Sequence, residues 1–557
     1  MERDRKTKQI SAGTAIPANP ELVKHSGEFR KEMIEVIEGV HVAVGYGLAN
    51  SVMIVGDGGR IIVDTMEGID PARDVKADFD RISDDPIKVI IYTHNHQDHT
   101  LGAGVFAADG SPEIISHESL PRYVEANLSV IGPITANRAY RMYGGLLPEG
   151  NVVNCGIGLE LKDPAAGSGT AFLQPTRTFD DKLEVEVAGV ELTLIHALGE
   201  TNDHVIIWIP DKKLLIAGDN FYRSFPNLYT IRGTIFRDVA GWFKSVDIMR
   251  RFKPEYLVLG HGRPLFGAAE IEARLANYRD AIQFVHDQTI RYMNLGLTPD
   301  EIVEKVKLPA YLAGDPYLQE FYGKVEWSVR ELYSGKLGWF NGRCRDLFPP
   351  PPGELAGEMA ELAGGVGQLV SRAKKALDEG KPQWVLILAD LVLELEPGNE
   401  SAAGVKVEAL VKMAEEQGNA NARNYLLSEA FETAGLIDIP YMPTENVNPG
   451  QLASIPLKLF FEAMAAHLNT ERSADTTLVA GFSFTDTGES VTVNVRRCVA
   501  EVSGLPAESP DVAVTLESQT WKEILARVRN PAEAVSSGDI KIEGDPQKFY
   551  EFLALFI

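Results

Sequence analysis

Thr93-His94-Asn95-His96-Gln97-Asp98-His99 follows directly on the apolar run Val89-Ile90-Ile91-Tyr92. A short apolar run of this kind reads as a buried strand. Three imidazoles and one carboxylate therefore fall on a loop at a strand end. Imidazole and carboxylate are borderline ligands that suit zinc and its neighbours. Closely spaced in H-x-H-x-D-H, they can face two ions side by side. His94 and His96 turn toward one, and Asp98 and His99 toward the other. A solvated loop that collects these residues by chance is the bland alternative, and the segments on either side weigh against it.

Downstream, three further strand patterns each end in a possible ligand. Val190 to Ile195 leads into His196-Ala197-Leu198-Gly199-Glu200. Lys213-Leu214-Leu215-Ile216-Ala217 ends in Gly218-Asp219, and Tyr256-Leu257-Val258-Leu259 ends in Gly260-His261. Strand ends share one edge of a sheet, so Glu200, Asp219 and His261 can converge on the 94–99 loop. The pattern assigns His94, His96 and Glu200 to a first ion and Asp98, His99 and His261 to a second, with Asp219 as the bridge. Two divalent cations are expected. Zinc is the first expectation, and iron and manganese stay open. His196 and His204 flank Glu200. The first reads as a buried, hydrogen-bonded histidine and the second as a candidate for moving a proton.

Upstream, Ser51 to Val55 and Arg60 to Asp64 flank Gly56-Asp57-Gly58-Gly59, a hairpin signal. A helix is expected over 72–81. Antiparallel strands running into strand–helix units predict an α/β protein with chemistry at the strand ends. Residues 1 to about 30 read as a polar arm. The Gly- and Pro-rich stretch from about 131 to 170 carries Tyr140, Met142 and Tyr143 and reads as a wall beside the substrate. Residues 365–432 show helical spacing, 440–449 read as a linker, and the remainder reads as a small α+β domain.

The chain has 557 residues, too many for one core. Its 54 Lys+Arg against 79 Asp+Glu give a net charge of −25, which argues against nucleic acid as a partner. Three scattered cysteines signal no disulfide framework. No signal peptide and no integral membrane segment is read. A cytoplasmic protein is the expectation, and export by another route stays open.

These residues resemble those of the type III alkylsulfatases, a branch of the metallo-β-lactamase superfamily. The resemblance is carried by THNHQDH, by Leu198-Gly199-Glu200, by Asn227-Leu228-Tyr229-Thr230-Ile231-Arg232-Gly233, by Tyr322-Gly323 and by Leu337-Gly338-Trp339-Phe340-Asn341-Gly342. It implies a metallo-β-lactamase αββα sandwich over 1–290, an all-α dimerisation domain over 291–435 and a sterol-carrier-like domain over 445–557. A homodimer follows from this. It also implies that Asn227 and Arg232 hold sulfate oxygens, arginine being suited to oxyanions by its planar fork. Two positions depart from that pattern. Pro226 stands where a proton-donating histidine is expected, and Asp219 where a bridging glutamate is. Tyr229 or His204 then becomes the candidate donor, with Asp98 central to the metal chemistry. The expected activity is hydrolysis of an alkyl or related sulfate ester with an apolar tail, giving alcohol and sulfate. The alternatives are the same fold acting on a phosphoester, thioester or lactone, and a lipid-binding protein with a vestigial site.

Overall fold

The computed structural model describes Ile10 and residues 15–127, 130–161, 167–439 and 456–556. It divides into two compact units. One comprises Met1–Leu120 with Thr135–Pro440, the other Pro121–Ile134 with Tyr441–Ile557.

The first unit is built on two sheets. Strands β1 (Glu32–Ile37), β2 (Val40–Val44), β3 (Ser51–Gly56), β4 (Gly59–Val63), β5 (Ile87–Ile91), β6 (Glu113–His117) and β7 (Arg177–Phe179) lie in chain order in a seven-stranded sheet. β1 to β4 form an antiparallel meander, and β4 to β7 run parallel. The second sheet has β8 (Lys182–Val187), β9 (Val190–His196), β10 (Val205–Ile209), β11 (Leu214–Ile216), β12 (Tyr256–Val258) and β13 (Leu265–Phe266). Only β11 and β12 are parallel within it.

Side chains alternate across a strand, and the two faces are filled accordingly. Val42, Val52, Ile61 and Ile91 of one sheet meet Leu194, Ile207, Ile216 and Val258 of the other in one core. On the opposite face of the second sheet, Ile206, Leu215 and Leu257 pack with Trp242 and Val246 of the helix Val239–Arg251 and with Tyr278 and Ile282 of Ala268–Asn294. The helix Ile69–Ile82 covers the first sheet, and its Asp80 accepts a hydrogen bond from Arg60 of β4 at 2.7 Å. The result is a helix–sheet–sheet–helix sandwich.

The expected boundary at residue 290 falls inside the helix Ala268–Asn294. Leu275, Ile282 and Val285 of that helix share one core with Val329 and Leu332. The helices Val366–Asp378, Pro382–Leu395 and Glu400–Glu416 stack through Ala373, Leu388, Val405 and Ala409.

The polar reading of residues 1 to about 30 needs correction from residue 15 onward. Pro20–His25 is helical, and Leu22, His25 and Phe29 are buried. His25 Nε2 lies 2.9 Å from the Gly156 carbonyl, and its ring stacks on Phe321 with centroids 4.0 Å apart. Arg423, also buried, donates to the carbonyls of Ile16 at 2.8 Å, Pro17 at 3.1 Å and Ala414 at 2.9 Å.

The second unit contains a five-stranded sheet in the order β16 (Val499–Ser503), β15 (Ser490–Arg496), β14 (Thr477–Phe484), β17 (Val512–Leu516), β18 (Ile540–Gly544). Phe461 of the helix Leu457–Ala466 packs on Phe482 and Trp521, with centroids 5.2 and 5.5 Å away, and Phe549 and Phe552 share this core. The linker expected at 440–449 lies outside the described residues.

Candidate metal centre

The strand ends of the two sheets meet at one edge of the sandwich. β5 delivers the loop from Thr93, and a short helical turn, Gln97–Thr100, aims Asp98 and His99. The turns after β11 and β12 bring in Asp219 and His261. Ligand atoms form two groups, each within 4.8 Å internally: His94, His96 and Asp219, and Asp98, His99 and His261. Asp219 reaches both groups. Its Oδ2 lies 3.1 Å from His261 Nε2 and 3.8 Å from His94 Nε2, and its Oδ1 lies 3.4 Å from His99 Nε2. Asp98 Oδ2 lies 3.5 Å from the Nε2 atoms of both His99 and His261. The approach leaves no room for a larger neighbour: a Cβ on Gly260 would sit 2.0 Å from Asp219 Oδ1.

The donor set fits divalent cations. His94 Nε2, His99 Nε2, Asp219 Oδ1 and Glu200 Oε2 are all buried without a hydrogen-bond partner. Orphaned buried polar atoms cost about 1–3 kcal/mol each unless something satisfies them. Burial, followed by the charges of His99 and His96, holds the His94 imidazole well below its ordinary range. That favours the neutral form that binds a metal. His99 is driven the other way. Burial opposes its protonation, but the carboxylates of Asp219, Asp98 and Asp64 outweigh it. Asp98 is held down to about 2 against its burial, chiefly by His99 and then His261.

Outer contacts fix these side chains. Asp64 accepts from the Thr93 backbone amide and hydroxyl, both at 2.8 Å, and its Oδ2 is 2.7 Å from His99 Nδ1. His261 Nδ1 lies 2.8 Å from the Leu48 carbonyl, and the Leu48 amide donates to both Glu67 oxygens at 3.1 and 3.2 Å. Asn95, between the first two histidines, donates to Asp203.

Glu200 is buried beside Arg237. It falls outside both groups, and its Oε1 lies 3.0 Å from Arg237 Nη1. Burial raises its carboxyl, with Arg237 opposing. His204 Nε2 accepts the Asp219 amide at 3.0 Å, and burial lowers the imidazole to about 3. The charged and phenolic groups acting on Tyr229 are Arg138, Glu331 and Tyr425, none of the metal-facing set. Asn227 is fully buried, and neither side-chain polar atom has a partner. Arg232 acts on the Tyr143 and Tyr322 phenols, whose oxygens are 3.2 Å apart, and on His96. At Pro226 the backbone is closely covered, since a Cβ on Gly323 would lie 2.1 Å from the Pro226 carbonyl oxygen. Arg237, Asp64 and Tyr322 are thus site residues to which residue patterns assigned no such role. Only their strand-end, motif or motif-adjacent positions could have drawn notice to them.

Residues 44–261 match the metallo-beta-lactamase superfamily, and with this sandwich and strand-end site they define a metallo-β-lactamase-fold hydrolase. Residues 298–435 match the alkyl sulfatase dimerisation family, and 445–557 the alkyl sulfatase C-terminal family. The chain is 36% identical over 522 residues to a linear primary-alkylsulfatase of a Pseudomonas species, covering 90% of this chain and 98% of that one. It is 27% identical to the alkyl/aryl-sulfatase BDS1 of Saccharomyces cerevisiae, covering 98% and 86%. The crystal structure of the stereoselective inverting sec-alkylsulfatase Pisa1 from a Pseudomonas species superposes with a TM-score of 0.87 at 25% identity, over 99% and 89% of the two chains. The chain therefore belongs to the alkylsulfatase family, hydrolases of sulfuric esters.

Proposed function

We propose that this protein hydrolyses alkyl sulfates with the help of two divalent cations, zinc being the first candidate. The observation that supports this reading is the contact of Asp219 with both ligand groups, as a carboxylate shared by two cations would require. Bound there, such cations supply a Lewis acid and water of lowered pKa. His94 and His96 serve the first position, and Glu200 Oε2, which has no hydrogen bond, is the oxygen free to complete it. Asp98, His99 and His261 serve the second.

Arg232 and Asn227 hold the sulfate group, the first by charge and the second by its unpartnered buried amide. Tyr143 and Tyr322 line the same region and exclude water from it. His204 keeps the Asp219 amide in place and delivers no proton. Exposed Trp339, Phe348 and Leu362, at 74%, 89% and 82%, support a homodimer formed through the 298–435 region. Sulfate release from a linear alkyl sulfate, measured beside metal content and a panel of phosphoesters, tests the activity. Turnover of phosphoesters alone would replace it with the second chemistry.

A further inference from the structure

We propose that Arg237 holds the charged group of the substrate, using the free edge of its guanidinium. This rests on the sulfate-ester reading and adds to it a residue that selects tetrahedral oxyanions. Arg237 is 3% exposed. Its Nη1 is fully engaged, lying 3.0 Å from Glu200 Oε1 and donating to the Asn227 carbonyl. Its Nε and Nη2 have no partner. Those two nitrogens form one edge of the planar fork, the edge that matches two oxygens of one oxyanion.

Asn227, whose carbonyl Arg237 Nη1 reaches, is held by its backbone. Its amide donates to Tyr222 Oη at 2.7 Å, and its carbonyl accepts from Arg237. Its Nδ2 and Oδ1 are nevertheless unpartnered at 0% exposure. Four orphaned polar atoms therefore sit on two residues joined by a hydrogen bond, one of them ion-paired to Glu200. Leaving four such atoms unsatisfied is destabilising. An anion with several acceptor oxygens satisfies the three donor-bearing nitrogens at once. Arginine stays charged at every working pH, so this element holds a monoester anion and gives nothing to a neutral ester or lactone.

The test uses the full-length, metal-loaded protein with inorganic sulfate as the probe. Sulfate affinity is measured by calorimetry, KM and kcat with an alkyl sulfate, and metal content by elemental analysis. Arg237→Gln is expected to weaken sulfate binding roughly 10–100-fold with metal content unchanged. Arg237→Lys, which keeps the charge but loses the fork, recovers only part of it. Asn227→Asp leaves the Arg237–Glu200 pair in place and adds a repelling charge, so it is expected to weaken sulfate as well. If Arg237→Gln does not fold, Arg237→Lys decides the matter. Unchanged sulfate affinity in a folded variant overturns the proposal, as does a loss explained entirely by lost metal, which would leave Arg237 as a positioning residue for Glu200. If the unmodified protein binds sulfate through Arg237 but releases none from alkyl sulfates, the proposed function fails and this inference stands.

Discussion

Asp64 Oδ2 lies 2.7 Å from Nδ1 of His99, and both side chains are buried. The contact fixes the imidazole so that Nε2 faces Asp219 and Asp98. Asp64 achieves it in a left-handed conformation, φ 60°, at the end of β4. Such backbone conformations in a non-glycine residue are uncommon and persist where surrounding contacts impose them.

Asp64→Asn keeps the shape and tolerates that φ, but it removes the charge behind His99. Loss of such an outer partner typically weakens metal binding about 10–100-fold. Competition with a chelator measures it. Wild-type affinity in the variant would show that His99 needs no carboxylate behind it.

Chelation should abolish activity, and a divalent cation should restore it. Asp98→Ala should retain about one cation fewer per chain than the parent and lose nearly all activity. Elemental analysis of the dialysed protein decides this. Full metal content with full activity would remove Asp98 from the site.

Arg232→Ala should raise KM for an alkyl sulfate about tenfold or more, the scale of a lost charge-assisted hydrogen bond, while metal content stays constant. Steady-state kinetics beside metal analysis separates the two. An unchanged KM places the sulfate elsewhere.

His25 gives a pH signature from outside the two candidate ligand groups. Burial lowers it to about 4 from 6.5, with the Gly156 hydrogen bond opposing. The unfolded chain therefore takes up the proton first as pH falls below 6.5, and the folded state loses stability through that window. From pH 7.5 to 5.5 the loss is about 1 kcal/mol. His25→Gln lacks this term, so the stability gap between parent and variant should shift by that amount in urea melts. A constant gap would mean that His25 is not buried neutral.

The metal-facing residues were legible because each follows an apolar run, and strand ends necessarily gather at a sheet edge. The same logic brought Glu200 to this edge, but a strand-end position does not reveal that Arg237 lies against one of its oxygens. Asp64 was visible only as a strand end. Its partner is 35 residues away, and no local pattern encodes that approach. Tyr229 belongs to the motif, and the groups acting on it, Arg138, Glu331 and Tyr425, are distant in sequence, so no local pattern shows them. The segment containing Leu22, His25 and Phe29 looked polar because only a few of its residues are buried, too short a run for periodicity to register.

The Arg423 contacts bear on the order of assembly. Ile16 and Arg423 are 407 positions apart, so a ribosome must make the helices up to that point before the first residues of the chain acquire their anchor. A protein shortened ahead of Arg423 should leave its N-terminal end open to proteases, even if both sheets have already formed.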